Sequence, residues 1–167
     1  ISRLARMDVE ELTQIKGMTK RRAKQLMLAF ELGKRLFTEK HTYNDLGSSI
    51  AIYHYLKPKM EYRNTECAYL VIMNQNFKEI KTIKISEGGV TETAVDVREI
   101  MRHVVINKGT IIAIAHNHPC GSPSPSKNDD LLTTQISKAC EIMRIFFMDH
   151  IIIGDNAYYS YHDKGRV

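Results

Sequence analysis

The sequence is poor in the features that mark secreted, membrane-spanning and fibrous proteins. Its 3 cysteines, Cys67, Cys120 and Cys140, are an odd number with no C-x-x-C spacing, which excludes a disulfide framework and a cysteine-based zinc ribbon. The apolar runs, Cys67 to Met73 and Ile111 to Ala115 among them, fall far short of the roughly 20 residues that cross a bilayer, and no charged-then-apolar leader opens the chain. These absences point to a cytoplasmic protein with no membrane partner. There is no internal repeat and no low-complexity tract, so neither a fibre nor a disordered polymer fits. The opening residue is Ile1 rather than Met, which suggests a piece of something longer.

What is present is ordinary for a folded protein. The 167 residues, 43% hydrophobic and 26% charged, have the size and make-up of one domain with at most a small appendage. Charge is unevenly spread: residues 1–65 hold 13 Lys/Arg against 7 Asp/Glu, whereas residues 66–167 hold 11 against 12. A basic appendage therefore adjoins a near-neutral domain. Its densest group is Lys16, Lys20, Arg21, Arg22 and Lys24, with no acid between them. Such a group is either a solvated helix face or a contact for a polyanion, with non-specific DNA the natural candidate.

Asp8 and Glu11 stand in capping-box positions and predict a short helix to about Ile15. Gly17-Met18-Thr19 breaks it, and from Lys20 to about Phe37 the residues Ala23, Leu26, Met27, Phe30 and Leu36 recur at helical intervals. That is helix, tight turn, helix. His41 to Leu46 reads as a polar turn, and Ile50, Ile52, Tyr53 and Leu56 predict a helix stopped by Pro58.

From Glu66 the texture changes. Cys67 to Met73 and Lys78 to Ser86, where Ile80, Ile83 and Ile85 supply the apolar members, predict two strands paired antiparallel through Asn74-Gln75-Asn76. Thr93 to Ile106 reads as a helix, and Ile111 to Ala115 as a buried strand running into His116. After a proline-rich loop come a helix from Ser126 to about Arg144, a strand from Phe146 to Ile153 and a last strand from Ala157 to Tyr161. The expected fold is α/β, a mixed sheet with packed helices behind a small helical hairpin, divided at residues 1–40, 41–65 and 66–167.

The chemistry concentrates between His116 and Asp129. Two histidines at i and i+2, where a strand ends, point to one side and can converge on one metal ion. Asp129, in the first turn of the next helix, can reach back with a carboxylate. Two nitrogens and one oxygen suit Zn²⁺, and three protein ligands leave a fourth tetrahedral position for water, the arrangement of a catalytic site. Each part alone has an ordinary explanation, since Ser126-x-x-Asp129 is also a helix N-cap signature. Together, His-x-His-Pro, 7 residues from His118 to Ser126 and Ser-x-x-Asp make a string that chance rarely produces.

That string resembles the JAMM motif of the MPN metallopeptidase fold, with the same spacing. Over nearly its whole length the chain is similar to the RadC family, historically labelled DNA repair proteins, in which a helix-hairpin-helix region precedes a JAMM domain. Ile15-Lys16-Gly17 with Ala23 and Leu26 resembles the hairpin, Ala115 to Pro119 the metal loop, and Asp149 to Gly154 the last long strand. The resemblance implies a cytidine-deaminase-like sandwich with His116, His118 and Asp129 as Zn²⁺ ligands. It also implies Glu66, just before the first core strand, as general acid/base, and Ser126 as the hydroxyl that meets the oxyanion. Zinc lowers the pKa of its water to about 7, so a carboxylate can take the proton and later deliver it to a leaving amine. A hydroxyl donor aimed at the developing oxyanion stabilises the transition state.

Three positions depart from the family pattern. Thr19 stands where the hairpin carries its second glycine, Asp96-Val97 where the family has His-Pro, and Cys120 where it has Ser. Asp149-His150 is either a pair that orients a metal ligand or, as the following Ile151 to Ile153 favours, structural. His41, His54, His103 and His162 have no partners by spacing and are expected at the surface. A nucleobase deaminase would need Pro-Cys-x-x-Cys, and Pro119-Cys120 has no second cysteine to complete it. The classes that remain are a zinc hydrolase acting on a peptide or protein substrate, a DNA-associated accessory protein whose metal site turns over little, and an inactive scaffold.

Overall fold

The computed structural model describes residues 2–40, 45–60, 63–88 and 95–167. Three helices open the chain: α1 (Ser2–Arg6), α2 (Val9–Thr13) and α3 (Lys20–Lys40). The Asp8 carboxylate accepts the Glu11 N–H at 2.7 Å and the Glu11 carboxylate accepts the Asp8 N–H at 2.9 Å, the reciprocal cap that starts α2. The helix ends at Thr13, two residues before the expected Ile15. Gly17 then turns the chain at φ +86°, a conformation that suits glycine. Thr19 begins α3 by accepting the Arg22 N–H at 3.3 Å on its hydroxyl. α3 runs to Lys40 rather than Phe37, and α1 has no signal in the sequence.

The helix α4 (Ser49–Met60) contains Pro58 instead of stopping at it. A proline in the last turn removes one N–H from the ladder, while Leu56 and Met60 are completely buried, and that packing holds the turn together. Burial here outweighs the local break.

Five strands follow in the sheet order β2-β1-β3-β4-β5. The strands are β1 (Cys67–Met73), β2 (Glu79–Glu87), β3 (Ile111–Asn117), β4 (Phe146–Ile153) and β5 (Tyr158–Ser160). All neighbours pair antiparallel except β3 and β4, which are parallel and joined through α6 (Lys127–Met143). The expected strands are all found, β1 and β4 with the expected bounds and the others with ends shifted by at most two residues. β2 does not alternate cleanly because its register against β1 slips twice, between Ile72 and Met73 and between Ala68 and Tyr69, and Ile80, skipped at the first slip, is exposed. The helix α5 (Val97–Ile106) is capped by Asp96, whose carboxylate accepts the Arg98 N–H at 2.9 Å. It starts four residues after the expected Thr93, and residues 89–94 lie outside the described ones.

Period-two alternation sorts the strand residues onto two faces. Val71, Met73, Ala113, Ala115, Ile151 and Ile153 pack with Ile52, Leu56 and Met60 of α4. Leu70, Ile72, Ile112 and Ile114 pack with Ile100 and Val104 of α5 and Ile136 and Cys140 of α6. The same alternation turns His116 toward the α6 face and Asn117 toward the α4 face. Among the described residues no helix is long and apolar enough to cross a membrane.

Candidate metal centre

The parallel pair β3 and β4 runs to one end of the sheet, where the chain leaves β3 into the loop before α6. Open α/β sheets commonly place their sites at such carboxyl ends. His118, just past the strand, donates its N–H to Ile153 O at 3.0 Å, and Gly121 donates to His118 O at 2.9 Å. Gly121 has φ +84°, and a Cβ on Gly154 would lie 2.3 Å from Gly121 O, so this loop and the end of β4 meet with no room for side chains. Arg6 of α1 donates from Nη1 to Pro119 O at 3.0 Å and pairs with Asp155. The first helix thus braces the loop.

Three side chains converge there. His116 Nε2 is 3.0 Å from His118 Nε2 and 3.1 Å from Asp129 Oδ1, and His118 Nε2 is 3.6 Å from Asp129 Oδ2. One ligand atom from each lies within 4.8 Å of the others. Such a set, two imidazoles and one carboxylate, can hold a divalent metal ion. His116 and Asp129 are buried and His118 is partly open to solvent, so the cluster opens on one side. His118 Nδ1 is 2.9 Å from Ser122 O; a carbonyl only accepts, so Nδ1 carries the hydrogen and Nε2 is left to face the cluster.

Asp129 is held by the start of its own helix. Ser126 donates to Asp129 Oδ2 from both its main-chain N and its Oγ, each at 2.7 Å, and Ser126 Oγ accepts the Asp129 N–H at 3.2 Å. Motif spacing and capping box are therefore one object. Burial pushes the Asp129 carboxyl up, but the neighbouring His116 and His118 and the Ser126 hydroxyl outweigh it and hold the group well below the usual carboxylate range. The neighbouring Asp129 carboxylate raises His118 above its ordinary value against the opposing effect of burial.

Glu66 is half-buried directly before β1, and its charge is felt at His118. Its main-chain oxygen accepts the Gly88 N–H at 3.1 Å. Asp149 and His150 part company, because consecutive strand residues face opposite sides of the sheet. Asp149 turns to the α4 face and accepts from Ser160 Oγ at 2.7 Å and from the His162 N–H at 3.0 Å. His150, fully buried, places Nε2 2.9 Å from His116 Nδ1 and Nδ1 2.7 Å from Thr133 Oγ1. Asp149 thus packs away from the metal centre, whereas His150 lies directly against His116. Cys120 is exposed beside the loop. His162 is exposed, His54 and His103 are half-buried, and His41 lies outside the described residues.

Sequence reasoning missed Asn117, Thr133 and Arg6. Asn117 could have been found, since a residue between two histidines on a strand must face the other side, whereas nothing local marks Thr133 or Arg6.

A model of the RadC-like JAB domain matches residues 46–166. A UPF0758 protein of Coprothermobacter proteolyticus is 36% identical over 163 residues, covering 94% of this chain and 69% of the relative. One from Porphyromonas gingivalis is 36% identical over 168 residues, with coverage of 99% and 74%. One from Methanosarcina mazei is 30% identical over 168 residues, with coverage of 100% and 73%.

Proposed function

The chain belongs to the RadC-like JAB domain family, and from that membership and the metal centre we propose that it is a zinc-dependent hydrolase that cuts a peptide or isopeptide bond. One observation carries this reading: His116, His118 and Asp129 bring three ligand atoms within 4.8 Å of one another. When bound there, Zn²⁺ supplies a water of pKa about 7 and polarises the scissile carbonyl. Glu66, half-buried at the head of β1, takes the proton from the attacking water and returns it to the leaving amine. Ser126 supplies the hydroxyl for the oxyanion. Its hydrogen is directed at Asp129 Oδ2 in the structure, so that role requires the bond to be released.

The test pairs metal analysis with turnover. Wild type is expected to hold about one Zn²⁺ per chain, and His116→Ala and His118→Ala to lose it. Glu66→Gln is expected to keep the metal and lose about 10²–10⁴-fold in rate on any substrate that wild type cleaves. Full metal in both histidine variants, or equal turnover by Glu66→Gln, overturns the assignment.

A second reading has its own observation. Lys16, Lys20, Arg21, Arg22 and Lys24 are all exposed around the α2–α3 turn. This favours a DNA-associated protein in which the hairpin contacts phosphates and the metal domain turns over little. Arg22 gives one bond to Gly17 O, at 2.8 Å, and keeps its charge and its other N–H donors.

A further inference from the structure

The hydrogen bonds behind the metal centre determine which nitrogen of His116 carries a hydrogen. Thr133 Oγ1 lies 2.6 Å from the main-chain oxygen of Asp129, one helical turn earlier. A carbonyl has no hydrogen to give, and two oxygens approach this closely only with a hydrogen between them, so the hydroxyl hydrogen lies on that line. The side of Oγ1 that meets His150 is therefore a lone pair. His150 Nδ1, 2.7 Å away, must be the donor. His150 is fully buried, and no carboxylate bonds its ring among the described residues, which favours the neutral imidazole. Neutral, with its hydrogen on Nδ1, it presents a lone pair at Nε2. His116 Nδ1, 2.9 Å from that lone pair, is then the donor, and its other nitrogen faces His118 and Asp129.

We propose that His150, set by Thr133, is a positioning residue that keeps the hydrogen of His116 on Nδ1 and so leaves Nε2 free to bind the metal ion. This rests on His116 being a metal ligand and does not depend on hydrolysis. His118 receives the same setting directly from a carbonyl, Ser122 O, whereas His116 receives it through a second imidazole. The ring that relays it is clamped. Tyr161 stacks on His150 at 5.1 Å with the planes 7° apart, and the Tyr161 hydroxyl donates to Asp130 Oδ1 at 2.7 Å. α6 thus supplies Asp129 to the centre, and through Thr133 it also orients the histidine from β3. Without the Thr133 hydroxyl, His150 can carry its hydrogen on Nε2. That hydrogen would point at His116 Nδ1 and drive the His116 hydrogen onto Nε2, where it blocks the metal.

The experiment uses the full chain loaded with Zn²⁺. Long-range proton–nitrogen NMR of the histidine rings separates a nitrogen that carries hydrogen from one that does not. In wild type, His150 is expected to carry hydrogen on Nδ1 and none on Nε2, and His116 to carry hydrogen on Nδ1. Thr133→Val keeps the shape and deletes the hydroxyl; it is expected to weaken Zn²⁺ binding about 10- to 100-fold in competition with a chromophoric chelator. Thr133→Ser, which restores the hydroxyl, is expected to bind within a few-fold of wild type. Hydrogen on Nε2 of His150 in wild type, or Thr133→Val binding as tightly as wild type, overturns the proposal, and the first result needs no variant to fold. If wild type takes up no Zn²⁺ at all, the metal reading itself fails and this proposal fails with it.

Discussion

Asn117 accepts the main-chain N–H of Cys67 on Oδ1 at 2.8 Å, which ties the residue between the two histidines to the one that follows Glu66. Its Nδ2 donates to Thr65 O at 3.2 Å, so one amide grips the backbone on both sides of Glu66. The amide orientation is unambiguous, because a main-chain N–H only donates and a carbonyl only accepts. Removing the clamp in Asn117→Ala leaves two main-chain groups without partners, each costing about 1–3 kcal/mol where water cannot replace the bond. For a chain of this size that is a fall in Tm of about 2–4 °C per kcal/mol. Thermal unfolding should show the loss while metal analysis shows Zn²⁺ retained. An unchanged Tm would mean that the clamp is idle.

Metal removal should destabilise the protein through the same three ligands. A ligand that binds only the folded state at 100 times its Kd adds about 2.7 kcal/mol. Wild type is expected to lose several degrees of Tm on treatment with a chelator and recover them with Zn²⁺. His116→Ala and Asp129→Ala should show no metal-dependent shift. A shift of wild-type size in either variant would place the metal elsewhere.

Asp149 predicts a pH dependence on the opposite face of the sheet. Burial raises its carboxyl above the ordinary value, against hydrogen bonds from the His162 N–H and Ser160 that favour the charged form. A raised folded-state pKa means that this group contributes its full stability below the unfolded value of about 3.9 and loses it as pH rises through the folded value. Asp149→Asn does not titrate. The Tm of wild type relative to this variant should therefore fall as pH rises from below about 3.9 through the folded value, then level off. A difference that stays flat across this window would show that the hydrogen bonds to Asp149 fully offset its burial.

Ser126→Ala tests the double use of the capping box. Loss of an N-cap side chain costs about 1 kcal/mol, and here it also removes a 2.7 Å donor to the Asp129 carboxylate. Lower Tm together with weaker Zn²⁺ binding is expected, from unfolding and chelator competition respectively. Lower Tm with unchanged Zn²⁺ affinity would confine Ser126 to the helix start.

If the exposed basic group meets phosphates, binding to duplex DNA should be weak, indifferent to sequence and steeply dependent on salt, with about 0.9 added to the log–log slope per contact. Lys20→Glu, Arg21→Glu and Lys24→Glu combined should abolish it and leave the metal site unchanged. Titration of labelled duplex at low and at physiological salt reads both. No binding at low salt, or binding that survives the reversals, would leave the patch a solvated face.

The strands, the β1–β2 hairpin and the metal triad were legible because their signals are local. Cys67 to Met73 is apolar on both faces, the histidines are two apart, and Asp129 lies one turn into a helix whose start Ser126 marks. Such patterns need only the strand period of two and the helix period of 3.6, which neighbouring residues impose on one another whatever the rest of the chain does. Pro58 was misread for the opposite reason. A rule about one missing N–H says nothing of Leu56 and Met60, which are buried against a sheet formed from residues far along the chain. The same limit applies to His150, which stands 34 residues from His116 in sequence and 2.9 Å away in space. Its contact with His116 required β4 to lie parallel beside β3, and α6 to cross over them to bring Thr133 to its other nitrogen. Asn117 gripping residues about 50 positions earlier and Arg6 bracing Pro119 belong with it. The sequence by itself marked the candidate ligands, since their spacing follows from local geometry. Only the tertiary structure decided how they are held, because hydrogen bonds between distant segments exist only after burial of the sheet faces has brought those segments together.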